Sequence, residues 1–130
     1  MRQFDINVKN KPGALAAVCD VIAKGGINIK AISSEMGDSS SIIKIVTDNE
    51  TATRKVLQDS GISFNEYEII GIELIDRPGE LARLTKALAE YGVNIESIYL
   101  LDKRKDITKL AVKVDHLANA IKALEKMERG

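Results

Sequence analysis

Phe4, Ile6 and Val8 alternate with Gln3, Asp5 and Asn7, a period of two that predicts a strand with one buried face. Ile70, Ile72 and Leu74 repeat the pattern. After each strand comes a polar residue, a basic residue and Pro-Gly, then apolar positions at helical spacing: Leu15, Val18, Cys19 and Ile22 in one case, Leu81, Leu84, Thr85 and Leu88 in the other. Sets at i, i+3, i+4 and i+7 predict an amphipathic helix of about three turns. Its apolar stripe makes Cys19 a small core residue.

Gly26 and Gly92 stand where such a helix would stop, since glycine takes a positive φ without a Cβ clash. "INIKAIS" and "VNIESIYL" then predict second strands. Polar turns follow, "GDSSS" from Gly37 and "DKRKD" from Asp102, and "SIIKIVT" and "ITKLAVKV" predict third strands. Asp48-Asn49 and Asp115 are N-cap candidates for second helices carrying Val56 and Leu57, and Leu117, Ile121 and Leu124, as apolar positions. The order is βαββα, twice.

The duplication is direct: residues 4–34 align without a gap on residues 70–100. The alignment keeps Pro12/Pro78, Gly13/Gly79, Leu15/Leu81, Gly26/Gly92, Asn28/Asn94 and Ile29/Ile95. Within 130 residues such a repeat predicts two small modules, 1–68 and 69–130, packed as a pair. In the first copy, residues 62–68 supply a fourth strand, which makes it βαββαβ, a ferredoxin-like order. The second copy reaches Gly130 with its helix and lacks that strand, so an open strand edge is expected on its sheet. The fold class expected is α+β: two ferredoxin-like modules, each a sheet covered on one face by two helices, the second without its last strand. One-sided sheets and an open edge together predict a homo-oligomer, most simply a homodimer.

Composition narrows the function. Nineteen basic residues balance nineteen acidic ones, so no global field draws nucleic acid or anionic lipid. The one basic cluster, Lys103, Arg104 and Lys105, is interrupted by Asp102 and Asp106 and predicts a solvated hairpin tip. RNA-recognition modules share the βαββαβ order, but they need exposed aromatics on a basic sheet face. Here Phe4 falls on the apolar register and tryptophan is absent. No apolar run spans a membrane and the first residues carry no signal-peptide core, so a cytoplasmic protein is expected.

A single cysteine leaves no disulfide or CxxC metal site, and the one histidine, His116, lies beside a candidate cap. With no nucleophile motif, phosphate loop or HxxxH spacing, neither catalysis, a metal nor a cofactor is expected.

A strand, then N/D-[KR]-P-G-x-L, a helix, then G-[IV]-N-I, present twice at matching spacing, resembles the ACT domain, a small regulatory module attached to many enzymes of amino-acid metabolism. The resemblance covers essentially the whole chain and is strongest to stand-alone tandem ACT proteins. It implies allosteric regulation by an amino acid or similar effector bound at module or subunit interfaces, commonly within a dimer, with an enzyme of amino-acid metabolism as a further partner. By the same resemblance Asn10, Asn28, Asp76 and Asn94 contact the ligand. Pro12, Gly13, Pro78 and Gly79 shape the loops, and Ser33, Ser34 and Tyr99 are further lining candidates.

Elementary chemistry fits this assignment. A Pro-Gly loop opening a helix leaves amide donors at the positive end of the macrodipole, where a carboxylate can bind, and an aspartate at position 76 can accept from an α-ammonium. The same residues also make an ordinary helix start and turn. The competing reading is therefore a structural protein that oligomerises or docks on a separate enzyme without a ligand. The copies differ, Asn10 against Asp76 and Gly25 against Tyr91, so their sites need not be equivalent.

Overall fold

The computed structural model describes residues 1–39 and 41–129. Ser40, in the turn expected from Gly37, and Gly130, at the end of the second repeat, lie outside the described residues. The chain divides into two compact units, Met1–Glu68 and Ile69–Gly130.

The first unit runs β1 (Arg2–Val8), α1 (Ala14–Lys24), β2 (Ile29–Met36), β3 (Ser41–Thr47), α2 (Glu50–Asp59) and β4 (Phe64–Glu68). Its antiparallel sheet has the order β2-β3-β1-β4. Pairing of Phe4 with Ile45 and of Ile6 with Ile43 puts the alternating apolar residues on one face. Val18 and Ile22 of α1 and Leu57 of α2 close the core over that face.

The second unit runs β5 (Ile70–Ile75), α3 (Glu80–Glu90), β6 (Ile95–Arg104), β7 (Ile107–Val114) and α4 (Leu117–Arg129). Its sheet has three strands in the order β5-β7-β6, so β5 is an edge where β1 is interior. Ile72, Leu74 and Val112 meet Leu84 and Leu88 of α3 and Ala120 and Ala123 of α4. The α+β fold follows the repeat, and among the described residues the second sheet has three strands where the first has four.

Both first helices end alike. Gly26 and Gly92, each at φ 69°, lead into paired bonds: Gly26 N–H to Ala23 and Ile27 N–H to Ile22, Gly92 N–H to Ala89 and Val93 N–H to Leu88. This is the Schellman arrangement, and its left-handed residue explains the retained glycine.

Several expectations at residue level are corrected. The fourth strand begins at Phe64 and not at Ile62, although Ile62 still packs on the core. Cys19 is only half-buried, because the stripe of α1 is centred on Val18 and Ile22. Leu81 is 51% exposed, and Thr85 donates its hydroxyl to the Ala82 carbonyl, since α3 turns Glu80, Leu84 and Leu88 inward. On α4 the buried residues are Ala120 and Ala123, small enough for close helix approach, which leaves Leu117 and Ile121 exposed. Asn49 caps α2 through Ala52 N–H at 3.0 Å, whereas Asp48 and Asp115 accept from the amides of Asn28 and Asn94, at 3.1 and 2.8 Å.

Candidate functional site

Each Pro-Gly loop links the end of one strand to the start of a helix. Gly13 and Gly79 both adopt φ 90° at the N-terminus of their helices, and no side chain caps either helix. In the first loop Lys11 N–H bonds Lys9 O and Ala14 N–H bonds Lys11 O, a tight turn that opens α1 toward solvent. No acidic residue lies in the first turn of α1. A groove of about 370 Å³ adjoins this loop, with Lys9, Lys11, Asn7 and Ser63 as polar walls and Val8, Ala17, Val21 and Ile62 as apolar ones. Its size suits a small ligand.

The second loop has the same backbone and different chemistry. Glu80, the first residue of α3, is 4% exposed. Its carboxylate accepts from Arg77 Nε at 2.8 Å and from Arg83 Nε at 3.0 Å. These bonds, that of Arg83 first, outweigh the burial that opposes them and hold the Glu80 carboxyl below its ordinary range. A protein carboxylate therefore already sits at the head of α3, where α1 begins with Ala14. The clamp is readable in "RPGELAR", since residues three apart on a helix are neighbours, but the repeat draws attention to what the copies share.

Asp76 is also engaged. Lys103 Nζ lies 2.9 Å from its carboxylate, and its N–H donates to the Asp106 carbonyl. The bond and charge of Lys103, helped by the Thr108 hydroxyl, hold the Asp76 carboxyl below its ordinary range. The basic cluster thus contributes more than a solvated tip, although Lys105 does make the hairpin turn at φ 45°.

Within one module the asparagines do not converge with the loops. Val8 pairs with Ser41 at one end of β3, and Ile29 pairs with Thr47 at the other. Asn10 and Asn28 therefore lie at opposite ends of a seven-residue strand, roughly 20 Å apart. Asp76 and Asn94 are separated likewise, because Ile75 pairs with Ile107 and Ile95 with Val114. Within one module, therefore, one ligand does not reach a Pro-Gly loop and an asparagine together. Among the described residues, no group of three or more His, Cys, Asp and Glu could hold a metal ion, and no helix is long and apolar enough to cross a membrane.

The model of an ACT domain pair matches residues 1–125. No curated protein sequence matches the chain. Protein BT0572 from Bacteroides thetaiotaomicron is similar in structure, with a TM-score of 0.88 and 25% identity over 98% of this chain and 88% of that one. The regulatory subunit of aspartate kinase from Thermus thermophilus, in its ligand-free form, gives a TM-score of 0.70 at 19% identity, over 96% of this chain and 90% of that one. The regulatory subunit of aspartate kinase from Thermus flavus gives 0.66 at 19% identity over the same shares, 96% and 90%. These two likenesses concern the fold. With a family model spanning both repeats and the paired Pro-Gly loops in place, the chain belongs to the ACT domain family as an ACT domain pair.

Proposed function

We propose that this chain is a non-catalytic regulatory module of the cytoplasm that binds a free amino acid at the first Pro-Gly loop and transmits its presence to an enzyme of amino-acid metabolism. The observation that carries this reading is the asymmetry of the loops: the head of α1 is open and bordered by Lys9 and Lys11, whereas the head of α3 holds Glu80. In this reading the ligand carboxylate meets the amides that follow Gly13 and the charge of Lys11. Asn10 flanks it, Pro12 and Gly13 shape the approach, and the ligand side chain enters the groove beside Val8 and Val21. Asn28 or Asn94 joins from a second subunit, so the site is completed in a homodimer. Asp76, Pro78 and Gly79 form a second, weaker site that requires Glu80 to move aside. The regulatory subunits of aspartate kinase similar in fold support a regulatory role.

Calorimetry of the whole chain against each of the twenty amino acids, with sedimentation at the same concentration, tests the proposal. At one hundred times its dissociation constant a ligand adds about 2.7 kcal/mol of stability, so a thermal shift accompanies the heat. Binding should displace the amide resonances of residues 14–17, and the particle should have twice the chain mass. If no amino acid binds at millimolar concentration, the sensor reading fails.

A further inference from the structure

The groove beside the first Pro-Gly loop changes in character along its length. Lys9 and Lys11, both exposed, belong to its loop end. From there α1 contributes Ala14, Ala17 and Val21 in succession, each about one turn further on, which carries this wall about 10 Å from the helix head. Val8 and Ile62, half-buried like Val21, line the groove as well, and lysine is the only charged residue type among the described residues around it.

The second module has charge where this wall is apolar. The gapless alignment of the repeats matches Ala14 with Glu80 and Ala17 with Arg83. On α3 these two residues bond each other, Arg83 Nε donating to Glu80 at 3.0 Å. On α1 the same two positions, three apart on one face, carry only methyl groups. The first groove therefore has a cationic end at the loop and an apolar wall along the helix.

We propose that this groove selects an amino acid with an uncharged aliphatic side chain, and that Ala17 is the residue that sets the selection. The inference rests on the reading of the first loop as an amino-acid site and names which amino acids enter it. With the ligand carboxylate at the loop end beside Lys11, the side chain extends along α1 over Ala17 toward Val21. An aliphatic chain there covers apolar surface that Val8, Val21 and Ile62 leave half open, and every methylene so buried favours binding. A carboxylate carried to the same walls, away from Lys9 and Lys11, loses water without gaining a partner. An ammonium does the same and meets lysines with no acid among the groove's described residues.

Calorimetry of the whole chain with leucine, alanine, glutamate and lysine tests the selection. Leucine should bind at least about tenfold more tightly than alanine, for the three further carbons it buries, and at least about tenfold more tightly than glutamate or lysine. Ala17→Arg gives α1 the residue that α3 carries. The position is exposed and arginine is a good helix former, so the fold should persist, which circular dichroism checks. In this variant leucine should weaken about tenfold and glutamate should strengthen, since a guanidinium then stands beside the ligand side chain. The proposal is overturned if glutamate or lysine binds the natural chain as tightly as leucine, or if Ala17→Arg leaves the ranking unchanged. Binding of none of the four also overturns it, and titration with the other sixteen amino acids then shows whether the amino-acid reading falls with it or stands without it.

Discussion

Arg54 on α2 grips Glu66 on β4 through two parallel bonds of 2.7 Å, one from Nε and one from Nη2. Such a fork fixes direction as well as distance, and it ties the helix to the strand that completes the first sheet. The Arg54 bond, with the charges of Arg54 and Arg2 behind it, outweighs burial and holds the Glu66 carboxyl below its ordinary range.

A stability dependence on pH follows. A carboxylate whose folded pKa is depressed stabilises the fold above its unfolded value, about 4.3, and that contribution is lost as the pH falls through the folded value. Glu66→Gln should therefore cost about 0.5–1 kcal/mol at pH 7, a partly screened figure because both side chains keep contact with water. At pH 2 the variant and the natural chain should converge. Urea unfolding followed at amides of the first module checks both limits, and an undiminished gap at pH 2 would contradict the linkage.

Gly25 tests the packing of α1 against α2. Its φ of −80° suits any residue, so by backbone entropy alone Gly25→Ala would stabilise by about 0.4–1 kcal/mol. A Cβ there, however, meets Val56 Cγ1 at 2.8 Å and Ile27 Cδ1 at 3.1 Å. Overpacking wins, and a net loss of about 1–2 kcal/mol is expected in urea unfolding. The second copy carries Tyr91 at this position, half-buried against its own core.

The Asn49 cap offers a cleaner single bond. Its Oδ1 accepts the Ala52 N–H at 3.0 Å at the start of α2. Asn49→Ala should cost about 1 kcal/mol. Asn49→Asp should retain most of that stability, because a carboxylate can accept the same bond and complements the helix dipole.

The architecture was legible because periodicity reports what is buried. Phe4, Ile6 and Val8 alternate as their strand requires, and Ile70, Ile72 and Leu74 repeat the pattern in β5. Helix faces were less legible. Hydrophobicity placed Leu117 and Ile121 inward, but the contact surface of α4 is made by Ala120 and Ala123, whose small size permits the approach. The candidate site was readable as two loops and not as a geometry. The distance between Asn10 and Asn28 depends on which end of the sheet each occupies, and pairing register decides that. The Glu80 clamp lay in the difference between copies, which a search for likeness passes over.

That difference allows the two loops to be exchanged. In the natural chain, amino-acid titration should first fill one site per chain and shift the amides at the head of α1, the second loop filling only at higher concentration because Glu80 occupies the head of α3. Ala14→Glu introduces the carboxylate of the second loop into the first. Binding should weaken at least about tenfold, since like charges then meet at the ligand carboxylate. Folding should not suffer, because an acidic residue in the first turn complements the helix dipole. Glu80→Ala makes the converse change. Arg77 and Arg83 lose their shared partner and become available to a ligand carboxylate, so shifts should appear at the head of α3 and the stoichiometry should rise toward two. Calorimetry gives the stoichiometry and amide shifts give the location. If Ala14→Glu leaves affinity unchanged while Glu80→Ala abolishes it, the working site is the second loop and the assignment to the first is wrong.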